Sequence, residues 1–263
     1  MPDPDTAKLD AQLLMAHVLG ANRAWLYAHG DHVLTATARE TFEQLVHRRA
    51  AGAPVAYLTG RQAFWSLDLA VDESTLIPRP ETELLVETVL ARLSDPVVRI
   101  ADLGTGSGAI AIALASERPD WQVTATDQSS RALGIAARNA RDAGCADIEF
   151  IERSWLDGFG PASLDAIVAN PPYIRAGDPH LERLRFEPES ALVAGADGLD
   201  AIREIVDAGY DVLVDHGLLL VEHGFDQAGA VADLMGARGY LAVESLRDLG
   251  GHARVTLGQR PAR

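Results

Sequence analysis

The chain has a single cysteine, Cys145, among 263 residues. No internal disulfide can form, and a reducing compartment is expected. No uninterrupted apolar run approaches the roughly 20 residues that a membrane-spanning helix needs. The start, MPDPDTAKLD, lacks the basic opening and apolar stretch of a secretory leader. The eight histidines are scattered, and none pairs with the cysteine or another histidine at ligand spacing, which argues against a structural zinc site. Bases are also scarce: 23 Lys and Arg stand against 38 Asp and Glu, a formal net charge of −15. The first 80 residues hold nine acids and seven bases, and the remainder holds 29 and 16. Non-specific DNA binding draws its energy from Lys and Arg on phosphates. The acidic remainder is therefore poorly suited to DNA and better suited to a basic protein partner. These absences predict a cytoplasmic protein without a membrane segment or bound metal.

With 48% hydrophobic and 23% charged residues, the composition is that of a globular protein, and the length predicts one large domain with a smaller one attached. Residues 1–60 read as a small helical domain. Leu9, Leu13, Leu14, Ala16, His17 and Leu19 recur at helical spacing before Gly20, and Phe42, Leu45, Val46 and Arg49 mark another helix after LTAT. GAPVAYLTG interrupts the pattern. AFWSLDLAVDESTLI alternates like a strand pair, giving a β-hairpin link over 61–79. From 80 to 263 the pattern changes. PRPETELLVETVLARL opens with Pro80, Glu81 and Glu83 before an apolar face, as a helix start does. Strands are then expected at VVRIADL, WQVTATD, IEFIER, LDAIVAN, HGLLLVEHG, YLAVESL and HARVTLG, with helices over 109–118, 130–143, 199–214 and 226–238. That alternation predicts an α/β fold with a parallel sheet covered on both faces and an antiparallel pair at one edge.

Two stretches carry chemistry. In RIADLGTGSGAIAIALA the glycines Gly104, Gly106 and Gly108 lie between a buried strand and an apolar helix, where a ligand can approach the backbone at a helix N-terminus. Asp127 ends the next strand and can accept two hydrogen bonds from ribose hydroxyls. The turn alone leaves NAD open, because the dinucleotide fingerprint tolerates Ala109 at its last position. The second stretch is DAIVANPPYIR, in which a strand ends in Asn170, Pro171, Pro172 and Tyr173. The prolines fix two successive torsions and have no N–H. Their carbonyls, the Asn170 side-chain carbonyl and the Tyr173 ring make a clamp for a planar –NH2 group.

Together, DLGTGSG, Asp127 and NPPY resemble the S-adenosylmethionine-dependent methyltransferases that act on amino groups conjugated to planar systems. The resemblance is closer still to the peptide chain release factor glutamine methyltransferases. It runs through RRAAGAPVAYLTGRQAFWSLDLAVDESTLIPRPETELLVE, DPHLERLRFEPESALVAG and LLLVEHG to RVTLG, and so covers essentially the whole chain. It implies a seven-stranded, Rossmann-like catalytic domain with a small N-terminal helical domain that grips the release factor. It also implies methylation at N5 of the glutamine in the Gly-Gly-Gln loop of class 1 release factors, with S-adenosylhomocysteine as product. Gly104, Thr105, Gly106, Ser107 and Gly108 would line the methionine and ribose part of the cofactor, Asp127 would hold the ribose, and Trp155 would lie beside adenine. Asn170 would touch cofactor and substrate, with Pro171, Pro172 and Tyr173 completing the clamp. Many relatives carry an acid just before the tryptophan, where this chain has Ser154.

Other residues have plainer readings. Trp25 and Trp65 are expected as core anchors, Glu222 and His223 as structural groups, and Cys145 as an incidental thiol. Arg185, Phe186 and Glu187 lie in a long connection, 174–198, read either as a cover for the substrate or as a surface loop held by Arg–Glu pairs. A monomer is expected. The main rival function is N6-adenine DNA methylation on a flipped base, which would call for a basic recognition region. An NAD-dependent oxidoreductase would leave NPPY unexplained, and a non-enzymatic cofactor-binding regulator would leave the clamp idle.

Overall fold

The computed structural model describes residues 6–262; the acidic opening at 1–5 lies outside them. The chain divides into two compact units, Met1–Arg61 with Val71–Glu73, and Gln62–Ala70 with Ser74–Arg263.

The first unit is helical: α1 (Ala7–Leu19), α2 (Arg23–Ala28), α3 (Ala36–Ala50) and α4 (Val55–Thr59). Gly20, in the left-handed conformation at φ 60°, ends α1 and donates to the Ala16 and His17 carbonyls. Asn22 and Thr35 cap α2 and α3 by accepting from the N–H groups of Trp25 and Ala38. Leu14 and Leu45 are buried, and Arg49 pairs with the buried Asp10 at 2.7 Å. Leu9 and Leu13, expected on the inner face, are more than a third exposed. Helices α2 and α4 are six and five residues long, too short to display a hydrophobic period.

A hairpin follows, β1 (Arg61–Phe64) and β2 (Leu67–Ala70), shorter than the stretch 61–79 over which one is expected. A 3₁₀ turn at Pro80–Thr82 runs straight into α5 (Glu83–Arg92). There follow β3 (Arg99–Leu103), α6 (Ala109–Glu117), β4 (Gln122–Asp127), α7 (Ser130–Asp142), β5 (Glu149–Glu152) and β6 (Leu164–Ala169). The chain ends with α8 (Asp200–Val212), β7 (Leu213–Glu222), α9 (Ala228–Arg238), β8 (Leu241–Arg247) and β9 (Ala253–Gln259).

The seven-stranded sheet has the order β5-β4-β3-β6-β7-β9-β8. Strands β3 to β7 are parallel, and β9 runs antiparallel to both β7 and β8. Successive strand residues feed opposite faces: Ile100 packs into one core, and Ala101 and Leu103 pack into the other. The strand order reverses between β3 and β6, which in open α/β sheets leaves a crevice at the carboxyl edge.

One expected helix, 199–214, overruns. Helix α8 stops at Val212 because the chain then extends beside Leu164 and re-registers at Ala166↔Leu218. The irregularity holds His216 at φ 65°, and its N–H donates to the Arg260 carbonyl at 3.0 Å. Among the described residues no helix is long and apolar enough to cross a membrane, and no cluster of His, Cys, Asp or Glu could hold a metal ion.

Candidate active site

The turn after β3 is shaped by what cannot fit beside it. A Cβ on Gly104 would stand 3.1 Å from the Trp155 ring, and one on Gly108 would stand 2.8 Å from Ile112 Cδ1. Both glycines have positive φ, 68° and 85°, so the ring and helix α6 approach the bare backbone directly. Beneath the turn, Asp102 is fully buried, and its Oδ2 accepts from Thr105 Oγ1 at 2.6 Å and from the Ala111 N–H at 3.1 Å. Burial, partly offset by these bonds, pushes its pKa up to about 6. Asn139 of α7 is buried and donates to the Ser107 carbonyl at 2.9 Å, fixing the turn from below.

Asp127 is held by backbone. Its Oδ2 accepts from Gly106 N–H at 2.9 Å and its Oδ1 from Ser129 N–H at 2.8 Å. A carboxylate has about four lone-pair sites, so capacity for ligand hydroxyls remains. The Trp155 ring nitrogen donates to Glu204 at 3.1 Å, and its carbonyl accepts from Thr126 Oγ1. Ser154, in the place of an acid, accepts from Gln128 Nε2 at 3.0 Å.

Strand β6 delivers Asn170 to the same edge. Its Nδ2 donates to Thr82 Oγ1 at 3.0 Å, while its Oδ1 is buried with no hydrogen-bond partner. Among the described residues the Pro171 carbonyl likewise accepts no hydrogen bond. Tyr173 packs against the core under α8 and α9. Burial, with the Glu222 carboxylate adding to it, pushes its hydroxyl up to about 12. Gln227 Nε2 holds the Tyr173 carbonyl at 3.0 Å.

The connection beyond the corner is an ordered strap. Ile174 pairs with Val193, and Ala176 N–H donates to the Gly195 carbonyl at 2.8 Å. Glu187 is buried and accepts from Ile77 N–H at 3.1 Å and from the Arg79 guanidinium. The strap is thus fastened to the stretch just ahead of α5. Arg185 lies over the Phe186 ring and pairs with Glu182, the Arg–Glu pairing of the surface-loop reading.

Turn and corner open onto one cavity of about 410 Å³, within the range of small-ligand sites. Of the residues singled out in the sequence, Gly104, Gly106, Asp127, Trp155, Asn170 and Pro172 form its wall. Thr105, Ser107 and Gly108 are buried; Pro171 and Tyr173 flank Pro172 without joining the wall. The bare turn, the anchored carboxylate and the indole suit a nucleoside with neighbouring hydroxyls. Sequence reasoning missed Thr75, Gln128, Arg131 and Ser190 in the wall, and it missed Thr82 as the partner of Asn170. Thr82 lies inside IPRPETE, so the signal was present without a way to know which atom it served. Trp25 is stacked on His29 at 4.3 Å rather than buried, and Trp65 is half-buried, its N–H bound by Glu83 at 2.7 Å. His223 is structural, its ring between Thr256 Oγ1 and the Gly224 carbonyl.

A family model for the PrmC N-terminal domain matches residues 3–60, and one for a methyltransferase small domain matches residues 80–185. A release factor glutamine methyltransferase of Xylella fastidiosa is 51% identical over 257 residues, covering 97% of this chain and 94% of the relative. The protein of the same name from Pseudomonas aeruginosa is 51% identical over 261 residues, with 98% and 95% covered. Among solved structures, a methyltransferase of Pyrococcus furiosus superposes with a TM-score of 0.57 at 16% identity, covering 82% of this chain and 98% of that one. This last likeness is one of fold.

Proposed function

Since the chain belongs to the release factor glutamine methyltransferase family, we propose that it methylates N5 of the glutamine in the Gly-Gly-Gln loop of class 1 release factors. S-adenosylmethionine, when bound, supplies a methyl group already activated by the sulfonium. The observation that carries the reading is the buried, unpartnered Oδ1 of Asn170, set in one cavity with the glycine turn and Asp127.

A carboxamide nitrogen is a weak nucleophile because its lone pair is shared with the carbonyl, so positioning and electrostatics are what the protein must add. Asn170 Oδ1 and the Pro171 carbonyl accept the two amide hydrogens of the substrate and aim its nitrogen into the cavity. Alignment of this kind contributes on the order of 7–11 kcal/mol in favourable model systems. The same two acceptors stabilise positive charge growing on nitrogen during transfer. Tyr173 supplies an aromatic face beside the corner and excludes water. The alkylated nitrogen loses its proton readily, so no side-chain base has to touch it. Asp127 would hold the cofactor's ribose and Trp155 would border its adenine.

A net charge of −15 supports a protein partner over a nucleic acid, and action on a release factor is in keeping with work in the cytoplasm. Labelled methyl transfer tests the reading with three acceptors: release factor, its Gln→Ala loop variant and duplex DNA. The expected result is label on the first alone. Label on DNA, or undiminished label on the Gln→Ala variant, overturns it.

A further inference from the structure

Glu222 ends β7, is 1% exposed, and has an Oε2 with no hydrogen-bond partner. The β6–β7 register sets Ala169 beside Val221, so Asn170 and Glu222 are the next residues on neighbouring strands. Thr82 stands with both. Its Oγ1 accepts from Asn170 Nδ2 at 3.0 Å, and its hydroxyl is near enough to Glu222 to hold that carboxyl down against burial. A hydroxyl carries one proton. Directed at Glu222, it leaves the Thr82 oxygen only the acceptor role toward Asn170, so Nδ2 must face Thr82 and Oδ1 must face the cavity. Without the carboxylate the same hydroxyl can donate to Oδ1, and the carboxamide can turn over. It would then present –NH2 to the –NH2 of the substrate, two donors face to face.

We propose that Glu222 is a positioning residue for amide methylation: acting through Thr82, it fixes the Asn170 carboxamide with its oxygen toward the substrate. The proposal rests on the reading of Asn170 as the amide acceptor. It joins three stretches that sequence similarity marks separately, IPRPETE through Thr82, NPPY through Asn170 and LLLVEHG through Glu222. The groups facing Glu222 are Arg254 from β9, Arg79 and Glu81 from the approach to α5, and Tyr173 from the corner. The ring of the adjacent His223 is turned to Thr256 and Gly224. Burial pushes Glu222 up to about 7 against the pull of Thr82, Arg254 and Arg79. The carboxylate therefore takes up a proton as pH falls through neutrality, and its hold on the Thr82 hydroxyl weakens.

The test uses the full chain with Thr82→Val, Thr82→Ser and Glu222→Gln, and two readouts. One is kcat for methyl transfer to release factor as a function of pH. The other is the side-chain ¹⁵N amide signal of Asn170, assigned by difference from Asn170→Ala. Thr82→Val and Glu222→Gln are expected to lower kcat on the order of 10–100-fold, with KM for the cofactor changed by less than about twofold. Thr82→Ser restores most of the loss. The rise in kcat through neutral pH disappears in Glu222→Gln, and the Asn170 amide protons, slow to exchange in the parent, become fast in both damaged variants. Thr82→Val leaves Glu222 in place and carries the test alone should Glu222→Gln not fold. Parent-like kcat in Thr82→Val, or a lowered kcat with unchanged Asn170 signals, overturns the proposal. If the parent leaves release factor unlabelled while the Asn170 signals still answer to Thr82 and Glu222, the substrate reading fails and the positioning role stands.

Discussion

Strands β3 and β6 lie side by side, and their two ends are finished in opposite ways. At the amino ends Asp165 accepts from the Arg99 backbone N–H, Nε and Nη2 at 2.8, 3.0 and 2.8 Å. At the carboxyl ends Asp102 Oδ1 and Asn170 Oδ1 are buried without a partner, and Glu222 Oε2 repeats this on the next strand. Among the described residues these are the buried side-chain oxygens left so, and β3, β6 and β7 are consecutive in the sheet. An unmet buried polar group costs about 1–3 kcal/mol. A fold that gathers three at one edge holds unused accepting capacity there, where a ligand can take it up. The amino end contributes to stability; the carboxyl end, where the proposed chemistry sits, gives some of it up.

The largest effect should come from removing the acceptor proposed for the substrate amide. Asn170→Ala is expected to lower kcat on the order of 10²–10³-fold, with binding of S-adenosylhomocysteine and thermal stability close to those of the parent. A variant within tenfold of the parent rate would move the chemistry away from this edge. Asp127→Ala should come next and should split the carboxyl edge itself. Charge-assisted hydrogen bonds are worth about 1.5–3 kcal/mol, so cofactor Kd should weaken on the order of 10–100-fold by calorimetry. At saturating cofactor kcat should hold within a few-fold. A fall in kcat without a change in Kd would mean that Asp127 serves the substrate half.

The two ends also differ in the sign of their pH dependence. Asp102 and Glu222 have folded pKa values raised above their unfolded ones, to about 6 and about 7, chiefly by burial. Their contribution is fully present below the unfolded values and is lost as pH rises through the folded values. Urea unfolding should therefore give a stability that declines between about pH 4 and pH 7, by up to a few kcal/mol. Glu222→Gln should flatten the upper part of that decline. An unchanged slope in the variant would mean that the carboxyl is already neutral or already solvated across this range.

How much of this was legible beforehand depended on the range of the interaction. The strands and the antiparallel β9 follow from period, length and the absence of a helix between the last two strands. Gly104, Asp127 and Asn170 announced themselves because each breaks a strand at a place where α/β sheets bind ligands. Thr82 and Glu222 did not. Thr82 reads as one more residue of a helix start and Glu222 as the polar end of an apolar strand, and only the fold sets them against Asn170 from 88 positions away in the first case. Pairing of that kind has no local signature. The early end of α8 was missed for a related reason, since the re-registration that begins β7 at Leu213 is dictated by its neighbour β6.

The smallest effect should belong to the amino end, and its sign is what gives it value. The guanidinium of Arg99, by hydrogen bond and charge, holds the Asp165 carboxyl below the usual range. Its contribution is therefore present above the unfolded pKa and lost as pH falls through the folded one, the reverse of Glu222 and Asp102. The side chains are 42% and 31% exposed, so solvent screens the pair and its worth is about 1 kcal/mol or less. Asp165→Asn should cost about that much near neutral pH, and the difference from the parent should vanish in acid. Methyl transfer and cofactor affinity should stay at parent levels, because the substitution lies at the far end of the strands that hold the site. A drop in kcat with cofactor Kd intact would mean that strain travels along β6 from Asp165 to Asn170. The two ends would then have to be treated as one mechanical unit.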